Sequence, residues 1–316
     1  MTSTESTRTE VTHRIEVAAP AAAVYRIVAD VSRWPLYFPP TVRAERIAGD
    51  DTEERIRICA LANGDLRSWE SRRRLFPDRF RVEFEQVVTA DPVAAMGGTW
   101  TVRPESDGGC VIVLDHHYRA VGDDPAKLAR IAGAVETNSV AELANLKRVA
   151  ERAAEEAELL FEFADTETFA APIEQVYDFL YDAAKWPERL PHVVRLDLRE
   201  DTTGLQHMEM DTRSPDGSVH TTISGRVCEP NRRISYKQVK LPAALRAHNG
   251  EWLFESTSDG RVLVTARHQV FLDPEGIAAL PAPPASLAAA RTAVRNALGA
   301  NSRATLAKAR EHVEAR

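Results

Sequence analysis

In CVIVLDHHY, residues 110–118, one strand face carries Cys110, Ile112, Leu114, His116 and Tyr118, while Asp115 and His117 fall on the other. A two-residue period of this kind marks a strand with one buried face, so His116 is expected inside with the apolar set. The segment from Val262 repeats the arrangement: Val262, Val264, Ala266, His268 and Val270 share a face, against Thr265, Arg267 and Gln269. In LRSWESRRRL, Trp69 belongs inside, and the same period brings Ser71, Arg73 and Arg67 to its face. A buried guanidinium is costly unless paired or hydrogen-bonded, so Arg73 asks for a carboxylate, a polar ligand or a wet cavity. HTTISGR offers a second Ser-x-Arg, Ser224 and Arg226. There the arginine shares its face with His220 and Thr222, and the pattern alone leaves it free to face solvent.

One ruler underlies these parallels. VYRIVADVSRWP, from Val24, recurs as VYDFLYDAAKWP from Val176, an offset of 152. The same offset pairs Trp100 with Trp252, His116 with His268, and Asp107-Gly108 with Asp259-Gly260. Only five tryptophans occur in the chain, so two Trp pairs at one offset, Trp34 with Trp186 and Trp100 with Trp252, point to duplication rather than chance. NSVAELA from Asn138 returns as NSRATLA from Asn301, with the extra spacing accounted for by LPAPPASLAAA in the second half alone. The chain reads as two tandem domains, 10–157 and 158–316.

Each half predicts the same elements. A strand runs into Pro20 or Pro172. A helix follows with Val24, Ile27 and Val28, or Val176, Phe179 and Leu180, at helical spacing, and the Trp-Pro pair is expected to end it. About six strands separated by Asn-Gly and Asp-Gly type turns come next. A long helix closes each half, over roughly 124–157 and 284–314. The fold class is α+β: two helix-grip domains, each a curved antiparallel sheet wrapped around its C-terminal helix with an interior cavity between them.

Composition narrows the function. A net charge of −7 speaks against nucleic acid as a partner, and no apolar run approaches the length of a membrane span. The opening MTSTESTRTEVTHR is polar, lacks a secretory core, and is expected to be a disordered lead-in. Cys59, Cys110 and Cys228 are scattered in neither a disulfide nor a zinc pattern, which suits a reduced, cytoplasmic protein. No phosphate loop, nucleophile elbow or metal-ligand spacing is present, so neither metal nor cofactor is expected.

The strand–helix start with Trp-Pro, the Ser-x-Arg strand, the Trp strand and the NSxAxLA terminal helix resemble the aromatase/cyclases of bacterial type II polyketide synthases. These are START-like and Bet v 1-like helix-grip proteins. Two copies resemble the di-domain subclass over residues 10 to 316. The resemblance implies first-ring aldol cyclisation and dehydration of a poly-β-ketone held by an acyl carrier protein. It implies Arg73 and His116 as catalytic residues, with Arg226 and His268 their second-half counterparts. Trp69, Ser71 and Trp100 would bind substrate, as would Ser224 and Trp252. Relatives carry a tyrosine where this chain has Thr41 and Val193, with Tyr37 the neighbouring phenol. An acid on their terminal helix is approximated here by Glu142 or Asn138. Arg43, Arg72 and Arg74 are candidate contacts for the acidic carrier, and the clearer inward arginine favours the first half as catalytic. Two alternatives stay open: a non-catalytic carrier of an aromatic or lipid-like ligand, and a duplication in which one half supports the other.

Overall fold

A computed structural model describes residues 8–62, 65–213 and 217–315. The first half runs β1 (Thr9–Val17), α1 (Ala21–Ala29), α2 (Trp34–Tyr37), β2 (Thr41–Gly49), β3 (Glu53–Ala62), β4 (Asp65–Phe76), β5 (Arg81–Gln86), β6 (Val93–Pro104), β7 (Cys110–Ala120) and α3 (Pro125–Glu156). The second runs β8 (Leu160–Phe169), α4 (Ile173–Tyr181), α5 (Trp186–Arg189), β9 (Val193–Thr202), β10 (Leu205–Arg213), β11 (Val219–Glu229), β12 (Arg233–Lys240), β13 (Leu245–Ser256), β14 (Val262–Leu272), α6 (Pro274–Ala278) and α7 (Leu287–Glu314). Each half forms a seven-stranded sheet, ordered β1-β7-β6-β5-β4-β3-β2 and β8-β14-β13-β12-β11-β10-β9. The chain divides into two compact units whose main boundary lies between Glu155 and Glu156.

The terminal helix grips one face of its own sheet. Leu143, Leu146 and Ala150 of α3 share a core with Trp100, Val102, Ile112 and Leu114 of β6 and β7, and with Val24, Tyr25 and Val28 of α1. In the second half Leu306, Ala309 and Val313 of α7 meet Trp252, Phe254, Val264 and Ala266. Both helices start on a cap. Asp124 accepts from the amides of Ala126 (2.7 Å) and Lys127 (3.2 Å), and Ser286 accepts from that of Ala289 (3.2 Å).

Two expectations are corrected. Part of the opening segment is ordered: Thr9–Val17 pairs along β7, from Thr9 opposite Tyr118 to Val17 opposite Cys110. Composition hid an alternation, because Thr12, Arg14 and Glu16 take the exposed face while Val11, His13, Ile15 and Val17 take the other. Residues 1–7 lie outside the described residues. Trp-Pro does not end the first helix either. That helix stops at Ala29 or Tyr181, and in the first half the Asp30 carboxylate accepts from the amide of Ser32 (3.1 Å) and turns the chain. Trp34 and Trp186 then open α2 and α5, with the proline in the first turn, where its missing N–H costs no helical bond.

Candidate functional site

Strand alternation delivers both arginines to the interior. Arg73 is 2% exposed and Arg226 1%, whereas Arg72 and Arg74 on the opposite face of β4 are exposed. The equal burial removes the ground for preferring the first half. Each guanidinium meets the last turn of the first helix of its half, whose carbonyls lack helical partners and carry the negative end of the helix dipole. Arg73 Nη2 donates to the carbonyls of Val28 (2.9 Å) and Ala29 (3.3 Å), and Arg226 Nη2 to that of Leu180 (2.6 Å). The tryptophan of the Trp-Pro pair covers the ion: Arg73 lies 5.4 Å from the Trp34 ring centroid, and Arg226 lies 5.2 Å from that of Trp186. The repeated phrase therefore builds the arginine's seat from its helix end and its tryptophan.

The two seats differ in charge. Arg73 Nη1 lies 3.2 Å from Glu54 Oε1 on β3. Burial lowers the Arg73 pKa to about 10, opposed by the Glu54 carboxylate, and the side chain stays charged at neutral pH. At the matching place of the second half stands Gln206, whose amide donates to Glu200 (2.8 Å). Glu200 also accepts from the Tyr181 hydroxyl and the Gly204 amide, both at 2.6 Å. Neither Arg73 Nη1 nor Arg226 Nη1 makes a hydrogen bond among the described residues, but only the former has a carboxylate, that of Glu54, at ion-pair distance. An uncommitted, buried guanidinium N–H beside a cavity suits an incoming carbonyl or enolate oxygen.

That cavity lies between the β8–β14 sheet and α7, and Arg226, Tyr236, His248, Trp252, His268 and Ser302 contribute to its wall. It encloses about 100 Å³, below the roughly 300–1,000 Å³ of ordinary ligand pockets. A larger ligand therefore displaces side chains, and Met208 and Met210 in the wall are unbranched and adaptable.

A hydrogen-bonded line crosses this wall. Gln238 Oε1 lies 2.8 Å from His248 Nδ1, His248 Nε2 lies 2.9 Å from His268 Nδ1, and His268 Nε2 lies 2.8 Å from Ser302 Oγ. Burial drives both imidazoles down, His248 to about 3 and His268 to about 4, so both are neutral at pH 7. In the first half His116 Nδ1 lies 3.4 Å from Ser139 Oγ, and burial, then the neighbouring His13 and His117, lowers its pKa to about 4. One turn along α3 from Ser139, half-buried Glu142 has its carboxyl raised by burial to about 7.

The other sequence candidates fall as follows. Ser71 and Trp100 are buried, and Ser224 and Trp252 line the second-half cavity. Trp69 shares the face of Ser71 and Arg73 and is half-buried. Tyr37 packs half-buried against the first core. Asn138 is exposed, and its neighbour Ser139 takes the inward place on the helix. Arg67, expected inward with Trp69, is instead exposed, 3.7 Å from Asp65. Arg43, a candidate surface contact, is buried and bonded to Glu45. Its place on the buried stretch of β2 overrides its charge.

Sequence reasoning missed Trp34, Trp186, Glu54, Tyr236 and His248. Two of these had a readable signal. With Trp252 inside, Gly250 and His248 must share its face. A Cβ on Gly250 would fall 2.1 Å from Tyr236 Cζ, which places the phenol over that glycine. Gly98 sits likewise under Phe84 in the first half. At matching places Phe84 and Met96 stand where the second half carries Tyr236 and His248.

Fold and site together define a tandem helix-grip protein with a polar arginine–histidine interior in each half. Residues 8–151 and residues 169–297 each match a family described as polyketide cyclase/dehydrase and lipid transport, and the chain belongs to it. It is 44% identical over 300 residues to the granaticin polyketide synthase bifunctional cyclase/dehydratase of Streptomyces violaceoruber, covering 95% of this chain and 92% of that protein. It is 42% identical over 306 residues to the actinorhodin polyketide synthase bifunctional cyclase/dehydratase of Streptomyces coelicolor, covering 94% of each. Among solved structures, it superposes on the di-domain ARO/CYC BexL from the BE-7585A biosynthetic pathway with a TM-score of 0.88 and 50% identity, covering 98% of this chain and 99% of that one.

Proposed function

We propose that the chain is a polyketide aromatase/cyclase that closes or aromatises the first ring of a carrier-bound poly-β-ketone by aldol addition and loss of water. Residues 10–157 and 158–316 each form one such domain. The observation that carries the reading is the buried arginine, seated in both halves on a helix end and a tryptophan, in a half whose interior also holds a neutral histidine. Aldol addition needs a base for an acidic C–H and a stabilised enolate oxygen, and dehydration needs an acid for the leaving hydroxyl. A neutral imidazole serves as base and then, once protonated, as acid. A fixed guanidinium holds the oxygen on which charge develops. The enclosed interior adds orientation, holding a flexible polyketone in one reacting shape.

The substrate arrives as a thioester on an acyl carrier protein, in keeping with the polyketide synthase names of the relatives. Arg72 and Arg74 are exposed on the face of β4 opposite Arg73, with Arg74 paired to Glu83 at 2.6 Å, so the carrier contact is sought elsewhere around the cavity mouth.

The test adds the full chain to a minimal type II synthase and follows first-ring products. Arg226→Gln is expected to lower turnover about 10²–10³-fold, the usual effect of losing an oxyanion donor, with thermal unfolding confirming the fold. Arg73→Gln is run alongside it. Normal product from a folded double variant would remove the proposal.

A further inference from the structure

The second half holds a device that the first lacks. Gln238, His248, His268 and Ser302 form one continuous line, with oxygen or nitrogen contacts of 2.8, 2.9 and 2.8 Å. With the Gln238 oxygen as acceptor, one arrangement of protons satisfies the line. Ser302 donates to His268 Nε2, His268 Nδ1–H donates to His248 Nε2, and His248 Nδ1–H donates to Gln238. Both imidazoles are neutral and every donor points the same way.

Packing does not require this arrangement. At the matching place of the first half stands Met96, whose sulfur takes the Gln86 amide at 3.8 Å. A thioether therefore fills the corresponding position of the first sheet, and the hydrogen-bond contact of His116 there is to Ser139, at 3.4 Å. Burying a second imidazole where an apolar side chain suffices costs stability. The line also opens on the cavity, since Arg226 and Tyr236 share its wall.

We infer that His248 and His268 work as one proton relay, entered from the cavity through Ser302, and that the relay makes the second half the site of dehydration. This rests on the cyclase/dehydratase reading and assigns one of its steps. In the step, Ser302 Oγ takes the proton of the carbon next to the ketone as it hands its own to His268 Nε2. His268 passes its Nδ1 proton to His248 Nε2. The electron pair of the broken C–H bond becomes the new C=C bond, and the C–O bond to the β-hydroxyl breaks. The reverse movement returns the proton to the departing hydroxide as water. Gln238 cannot accept a proton, so the line ends at His248 and the charge comes back. Burial favours that return, because it makes an imidazolium in this place a stronger acid than a solvated one. Arg226 holds the ketone oxygen meanwhile. No oxidant, metal or further reactant enters the balance.

The test uses the full chain with the minimal synthase and measures the ratio of hydroxylated to dehydrated first-ring product. His248→Met, which writes the first half's residue into the second, is expected to raise that ratio about 10²-fold, the lower end for general acid–base catalysis. His248→Gln keeps a polar group against His268 but cannot take up and return a proton, and it is expected to behave the same. An unchanged ratio in folded His248→Met, or a normal ratio in His248→Gln, overturns the relay and leaves a packing role. Nitrogen NMR of the free full chain gives an arm independent of turnover. Both imidazoles are expected as Nδ1–H tautomers, and an Nε2–H tautomer at either one overturns the relay. Failure of the wild-type chain to form any ring product would instead overturn the cyclase reading.

Discussion

At the residue scale, burial acts on His116 and Glu142 in opposite senses. The Glu142 carboxyl, raised from 4.5 to about 7, keeps a proton between those values that the unfolded chain has lost, so its contribution to stability fades as pH rises through that window. His116, lowered from 6.5 to about 4, is the reverse: the unfolded chain takes up a proton first, and stability falls as pH drops from 6.5 toward 4. His13, His117 and Asp115 surround that imidazole, and the two histidines oppose its charging while Asp115 favours it. Glu142→Gln is therefore expected to stabilise the protein at pH 8 by on the order of 2 kcal/mol, reduced from the full linkage value for its partial exposure, and by nothing below pH 4.5. Urea unfolding at the two pH values checks this, and an equal gain at both would show that the carboxyl's ionisation is not the source. Such a gain marks a group retained at a cost to stability, which is common in sites that carry out chemistry.

At the element scale, alternation and helical spacing were enough to read the sheets, the terminal helices and the inward faces of β7 and β14. Arg73 was legible because Trp69 fixed the phase of its strand. Arg226 was not, because its strand partners His220 and Thr222 are polar, and what buries it is the seat made by Leu180 and Trp186. That seat depends on a helix end, a short turn and a second helix, whose return path no local pattern encodes. The glycines beneath Phe84 and Tyr236 belong to the same level. A Cβ on Gly98 would fall 2.1 Å from the Asp115 carbonyl oxygen, and one on Gly250 within 2.6 Å of three atoms of the Tyr236 phenol. Gly250→Ala is expected to cost about 1–3 kcal/mol, as overpacking does, and to shift the near-ultraviolet signal of the tyrosine ring. Gly98→Ala should cost more, since a backbone carbonyl yields less than a side chain. Thermal denaturation of the two variants orders them, and an unchanged melting point for Gly250→Ala would contradict the placement of Tyr236.

At the scale of the whole molecule, each half seats its own arginine, histidine and serine on its own sheet and helix. A step performed in one half therefore needs no side chain from the other. Full-length chains carrying Arg73→Gln and Arg226→Gln, mixed together, are expected to yield more first-ring product than the sum of the two assayed separately. A mixture no better than that sum would mean that both steps must occur along one chain. The sequence by itself determined the duplication, the α+β plan of each half, and the interior position of His116, His268 and Arg73. It could do so because periodicity along one strand or helix is a local property, and a repeated offset transfers it between halves. Only the tertiary structure decided that Glu54 pairs with Arg73 while Arg226 keeps an open N–H. Only it decided that the Trp-Pro tryptophans cover those ions, and that His248 completes a line through His268 to Ser302. Those relations join residues between 19 and 40 positions apart, and they exist only where sheet curvature and helix docking bring separate elements within reach of one another.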